Sequence, residues 1–187
     1  MFGTGERNSM ADSPEIIGVA DGFFERFAST LRVPAPDEKV LERIGQGLGD
    51  LARTVPDLTA CYSLAAPGEE RIYRVAALFE GGPTLYVVSD GAGVSSPPHE
   101  HRGWSVTYAV SGTELNTLYK RGDSSSRTVE VDQERTVSAG QVLALNADAV
   151  HSTDVVGSDS IVHLHLYEKA LSTLPSFEQR RFEIRCP

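Results

Sequence analysis

All five histidines of the chain lie between residues 99 and 165, and three of them are spaced as metal ligands are. His99 and His101 flank one residue in Pro97-Pro98-His99-Glu100-His101, and Ala149-Val150-His151 answers them fifty residues later. On a strand, side chains alternate between faces, so His99 and His101 share one face and Glu100 points away from it. Neutral imidazole is a common metal ligand, and three of them leave an ion's dipositive charge undiminished, which suits an anionic ligand. A second group, His163-Leu164-His165-Leu166-Tyr167, places His163, His165 and Tyr167 on one face of another strand. A tyrosine hydroxyl beside a histidine is suited to holding a proton in a fixed direction; its plainer role is to pack the ring and bond a neighbour.

Such side chains need a rigid scaffold. Ser13 is expected to cap a helix that has Pro14 at its first position, with Ile16, Ile17, Ala20, Phe23, Phe24 and Phe27 forming one apolar face. Pro34 and Pro36 end that helix, Asp37 restarts it, and Val40, Leu41, Ile44 and Leu48 make a second stripe to about Arg53. The phenylalanine stripe reads as packing and not as a ligand groove. From Arg71 the period becomes two, predicting strands over 72–79, 84–89, 104–111, 113–120, 127–131, 135–137, 141–146, 151–156 and 161–167. Gly81-Gly82-Pro83, Gly91-Ala92-Gly93, Gly112, Gly140 and Gly157 punctuate them, and Ser124-Ser125-Ser126 marks an exposed loop. The expected class is mainly β, a jelly-roll barrel or sandwich preceded by two N-terminal α-helices.

The 187 residues fit one domain over 13–187, its helical part at 13–60 and its barrel at 70–170. Residues 1–12, rich in Gly, Ser, Asn and charge, are expected to form a loose tail, and Met10 is an alternative start. A net charge of −9 and a pI near 5.0 disfavour nucleic acid and anionic membrane surfaces as partners. Cys61 and Cys186 are too few and too far apart for a disulfide framework or a thiolate metal site. No apolar run nears the ~20 residues of a bilayer span, and the first residues lack a signal peptide's apolar core, so a cytoplasmic protein is expected.

The spacing Gly93, five residues, His99, Glu100, His101, three residues, Ser105, six residues, Gly112, followed by Gly140, five residues, Asn146 and later His151, resembles the two metal motifs of the cupin superfamily. Ser105 stands at that family's glutamate position and Val155 at its closing asparagine. One branch of the cupins, the thiol dioxygenases, binds iron through three histidines without a carboxylate. His99-Glu100-His101-Arg102-Gly103-Trp104 resembles the segment of bacterial 3-mercaptopropionate dioxygenases, and His165 with Tyr167 matches the family's Ser-x-His-x-Tyr, with His163 in the serine position.

The resemblance implies Fe(II) held by His99, His101 and His151, with zinc or nickel also accepted by three histidines. It implies a catalytic group of Tyr167, His165 and His163, in which His163 bonds His165 through a ring nitrogen. It implies a small thiol carboxylate and O2 as substrates and a sulfinate as product. Carboxylate binding falls to an arginine, whose planar fork suits two parallel hydrogen bonds: Arg74 or Arg71 on the strand before the first motif, or Arg102, with Arg180 and Arg181 able to fold back over the pocket mouth. Trp104 is expected to wall the cavity. Val106 takes the place of the cysteine that crosslinks to tyrosine in mammalian-type cysteine dioxygenases, so no crosslink is expected. The competing readings are a three-histidine cupin that cleaves a carbon–carbon bond of a diketone or phenol, and a non-catalytic metal- or ligand-binding cupin. The sequence leaves monomer and dimer equally open.

Overall fold

The computed structural model describes residues 14–55, 57–122 and 126–185. The expected Ser13 cap, the 1–12 tail with Met10, Ser124 and Ser125 of the serine loop, and Cys186 lie outside the described residues. Helix α1 spans Pro14–Leu31 and α2 spans Glu38–Thr54. Asp37 caps α2 by accepting a hydrogen bond from the Val40 backbone N–H at 2.8 Å, which satisfies one of the helix's unpaired donors.

Ten strands follow among the described residues: β1 Glu70–Ala77, β2 Thr84–Asp90, β3 Ser95–Glu100, β4 Ser105–Ser111, β5 Thr113–Arg121, β6 Thr128–Ser138, β7 Val142–Leu145, β8 Val150–Val155, β9 Ile161–Tyr167 and β10 Glu183–Ile184. They form two five-stranded sheets, β1-β2-β9-β4-β7 and β10-β6-β5-β8-β3, the jelly-roll arrangement expected from the pattern of short strands. The separate strands expected at 127–131 and 135–137 are one strand, β6, because it pairs with β5 from Val129 to Ser138 across one register shift. Two elements carried no periodic signal: β3, interrupted by Pro97 and Pro98, and the two-residue β10.

The first sheet has two different faces. Buried Leu85, Val87, Val106, Tyr108, Val162, Leu164 and Leu166 form its outer core with Phe23, Phe24 and Phe27 of α1 and Leu41, Ile44 and Leu48 of α2. Burying each of these aliphatic side chains is worth about 1.5–3 kcal/mol. The contact is close because α2 is smooth there: a Cβ on Gly47 would lie 2.5 Å from the Phe27 ring, and one on Gly45 would overlap Val142. The phenylalanine stripe is thus packing. On the inner face, Tyr167, His165 and His163 of β9 stand opposite Thr84, Tyr86 and Val88 of β2 and Ser105, Thr107 and Ala109 of β4. No helix among the described residues is long and apolar enough to cross a membrane.

Candidate metal centre

β3 is the edge strand beside β8, and its register shifts between Ser96 and His99. The two prolines fall in that irregular stretch, where no ladder N–H is demanded of them. Pairing resumes with His99 directly opposite His151. His101 lies one residue beyond β3, before Arg102, whose φ of 57° turns the chain through the left-handed region.

These three histidines form the one group of metal-competent side chains found among the described residues. His101 Nε2 lies 3.2 Å from His99 Nε2 and 3.1 Å from His151 Nε2. Nitrogens bound at about 2.1 Å and near right angles to one ion stand about 3 Å apart, so the spacing fits three adjacent positions of an octahedral site. Each Nδ1 has its own partner: the Pro97 carbonyl at 3.0 Å for His99, Ser105 Oγ at 2.8 Å for His101 and Asn116 Oδ1 at 2.9 Å for His151. Placing the ring proton on Nδ1 in all three lets each donate outward and turns three Nε2 lone pairs onto one point, an arrangement that favours a cation there. Burial lowers the pKa of all three, His99 to about 4, so the imidazoles are neutral near pH 7. The residues present therefore fit a divalent metal ion.

Beside the triad, the Tyr167 ring lies edge-on to His101 at 5.0 Å, and the Tyr167 hydroxyl is 2.9 Å from His165 Nδ1. Thr107 Oγ1 is 3.3 Å from the same nitrogen, while His165 Nε2 is buried with no partner. A proton on Nε2 would be an orphaned buried donor. With the proton on Nδ1, His165 donates to Tyr167 Oη, and the phenolic proton is free to point elsewhere. Burial also raises the Tyr167 pKa far above its ordinary value, so the group is a donor and not a base.

His163 departs from the expected catalytic group. Its ring stacks on His165 at 5.7 Å and makes no hydrogen bond to it; both ring nitrogens are buried without partners, and burial lowers its pKa to about 4. The two rings lie face to face with 27° between their planes, so neither aims a nitrogen at the other.

The structure does not bring Arg71, Arg74 or Arg102 to the triad, while the segment of Arg180 and Arg181 folds back onto β3, with Arg181 bridging to His99. Arg71 pairs with Ser89 on the helix-facing side of the first sheet and bonds Glu69 at 3.3 Å. Arg74 shares the inner face but is exposed on the edge strand, with fully buried Tyr86 between it and His165. Arg102 pairs with Glu100, the side chain that points away from the metal ligands. Glu100 is itself buried and held by Arg102 and Arg121. Trp104 is 1% exposed and belongs to the core between helices and sheet, so it does not wall the cavity.

Several residues at the site had no local signature. Asn116, fully buried on β5, holds His151 and donates through Nδ2 to Glu114 Oε2 at 2.7 Å. Ser105, at the position where the resemblance leads one to expect glutamate, supports His101. The inward period Glu114-x-Asn116 on a strand was the available signal for the first pair. From the C-terminal segment, the Phe177 ring lies 5.1 Å from that of His99, and Arg180 donates through Nη1 to the Glu100 carbonyl at 2.9 Å.

No protein-family model matches the chain, and no curated protein matches it. Solved structures similar to it include a conserved protein of unknown function from Streptococcus pyogenes, at 17% identity over 62% of this chain and 87% of that one with a TM-score of 0.48. A cupin superfamily protein from Desulfitobacterium hafniense is 16% identical over 60% of this chain and 88% of that one, with a TM-score of 0.47. KdgF from Halomonas sp. is 19% identical over 60% and 91% respectively, with a TM-score of 0.44. What the chain itself establishes is a jelly roll of two five-stranded sheets with three converging histidines on its inner side.

Proposed function

We propose that this protein is a non-haem iron(II) thiol dioxygenase that converts a small thiol carboxylic acid and O2 into the sulfinic acid. The observation that carries this reading is a three-imidazole site with no carboxylate among its ligands and a protonated tyrosine at its side. The reaction balances as R–SH + O2 → R–SO2H, with both oxygen atoms ending on a sulfur that loses four electrons. Iron bound to the triad would supply a coordination site for the thiolate and the electron exchange with O2 that zinc cannot offer.

The chain's own residues hold that chemistry in place. Pro97, Ser105 and Asn116 fix the tautomer and tilt of the three ligands, as outer hydrogen bonds do in metal sites generally. Tyr167, oriented by His165, keeps its proton and directs it at charge developing on the substrate. The buried setting of these groups strengthens that hydrogen bond by excluding water.

The test is anaerobic loading with iron(II), followed by an oxygen-electrode screen of small thiols and diketones, with 18O2 labelling of the product. Uptake with a thiol carboxylate, two labelled oxygens in the sulfinate and loss of activity in His99→Ala, His101→Ala and His151→Ala are expected. Oxygen uptake with a diketone and none with any thiol would place the protein among carbon–carbon cleaving enzymes instead.

A further inference from the structure

Glu114 is a buried carboxylate joined to a metal ligand by two hydrogen bonds. His151 Nδ1 lies 2.9 Å from Asn116 Oδ1, and Asn116 Nδ2 donates to Glu114 Oε2 at 2.7 Å. Strand pairing sets both steps: Glu114 and Asn116 share one face of β5, and Leu118, the next residue on that face, stands opposite His151 of β8. Among the described residues no cation pairs with Glu114. The charged groups that act on it, Asp154 of β8 and Glu70 of β1, are acids; Glu114 in turn acts on Asp90 of β2, and Arg135, opposite Asn116 on β6, is exposed. Burial, reinforced by these acids and opposed by the bond from Asn116, raises its pKa to about 7. An ionised carboxylate buried in this way is unfavourable unless a positive charge compensates it, and the hydrogen bonds lead from it to a place for one.

The two bonds also have a direction. An ionised carboxylate can only accept, so it takes an N–H of Asn116 and turns Oδ1 of that amide to His151. The oxygen requires the imidazole proton on Nδ1, which leaves Nε2 a lone pair for an ion. A protonated Glu114 can donate, and it is satisfied equally by the reversed amide, whose NH2 group then meets His151 Nδ1 and drives the ring proton to Nε2. There the proton bonds His101 Nε2, 3.1 Å away, and closes the site to metal. The charge state of Glu114 therefore selects between a His151 tautomer that binds an ion and one that does not.

We propose that Glu114 is a positioning residue of the metal centre: acting through Asn116, its carboxylate holds His151 in the metal-binding tautomer and supplies the negative charge that three imidazoles lack. Metal uptake and loss of the Glu114 proton are then one coupled event. The carboxyl O–H breaks and its proton leaves to the buffer, the ring proton of His151 sits on Nδ1, and Nε2 bonds the ion; nothing is oxidised or reduced. The inference rests on metal binding by His99, His101 and His151 and not on the thiol chemistry proposed above.

The experiment titrates zinc into the metal-free chain by calorimetry in buffers of different ionisation enthalpy, which counts released protons, and measures zinc affinity by chelator competition. Zinc-bound water also loses a proton near neutral pH, so wild type is compared with Glu114→Gln, which keeps an oxygen for Asn116 and cannot ionise. Wild type is expected to release about half a proton more than the variant at about pH 6.5 and an equal number at about pH 8.5. Its zinc affinity is expected to exceed the variant's about tenfold at about pH 8.5 and less than about twofold at about pH 5.5, whereas a merely structural role would give a ratio independent of pH. Should the variant fail to fold by circular dichroism, the infrared difference spectrum of wild type carries the test, because zinc added at about pH 6.5 must bleach a protonated-carboxyl band. Equal proton release by the two proteins at both pH values, a pH-independent affinity ratio, or a carboxyl band untouched by zinc overturns the proposal. A chain that takes up no zinc overturns it together with the dioxygenase reading, while the expected proton release in a protein that oxidises no thiol keeps Glu114 in this role and sinks the dioxygenase reading alone.

Discussion

Replacing Glu114 with glutamine should stabilise the metal-free protein above neutral pH and leave it unchanged near pH 4. Glu114 is 4% exposed on β5, and Asn116 Nδ2 donates to its Oε2 at 2.7 Å. Burial raises its pKa from 4.5 to about 7, a rise that the hydrogen bond from Asn116 opposes and the charges of Asp154 and Glu70 reinforce. In this case the folded pKa lies above the unfolded one. Between about pH 4.5 and pH 7 the folded chain therefore holds a proton that the unfolded chain has released, and stability falls as pH rises through that window. At 1.36 kcal/mol per pH unit, the rise costs about 3 kcal/mol once the carboxylate is ionised in both states. Glutamine keeps an oxygen for Asn116 and has no charge to desolvate. The five imidazoles act in the opposite direction, since their lowered pKa values give stability that is lost as pH falls below about 6.5. Both proteins carry them, so the difference between the two isolates Glu114. Urea melts at intervals from about pH 4 to about pH 8 should give a stability difference that grows from near zero to about 3 kcal/mol in favour of the variant. A difference independent of pH, or a glutamine variant less stable at about pH 8, would refute the reasoning by showing that the ionised carboxylate has a favourable partner.

Tyr167→Phe keeps the ring beside His101 and removes the directed proton, so iron content should be normal while kcat falls about 10- to 100-fold, or about 1.4–2.7 kcal/mol; wild-type turnover would remove the hydroxyl from the mechanism. Asn116→Leu strands the Nδ1 donor of His151 and should weaken zinc binding about 10- to 100-fold in a chelator competition, with unchanged affinity counting against the tautomer assignment. For His163→Ser, the pH–rate profile between about pH 5.5 and about pH 8 should overlay that of wild type, because burial already holds His163 at about 4. Loss of an inflection near pH 6.5 in that variant would show that His163 titrates in the working range.

How far each residue could be read from the sequence depended on whether its role was local. The Asp37 cap, the helical stripes and the alternation of β9 are properties of a few consecutive residues, so the sequence alone led to two helices and a mainly β body. The gaps around His99, His101 and His151 were also legible, because strand period and turn glycines fix which residues face inward. The arginines of β1 were not: an alternating strand reverses every assignment on a shift of one residue, and the register of β1 itself slips between Arg74 and Ala76. Trp104 and Arg102 failed for a related reason, since the chain leaves β3 through a left-handed turn before β4 begins.

The sequence by itself pointed to the mainly β class through its periodicity, to His99, His101 and His151 as one group through the resemblance of their spacing, and to Tyr167 and His165 on one strand face. Only the tertiary structure decided that Glu100 is clamped by Arg121, that Asn116 holds His151, and that Arg180 lies against Glu100 across 80 residues of chain. Each of these joins segments whose proximity depends on sheet order and on the path of the C-terminal segment. No local preference encodes such a contact, because its stability comes from burial that exists only once both sheets have formed.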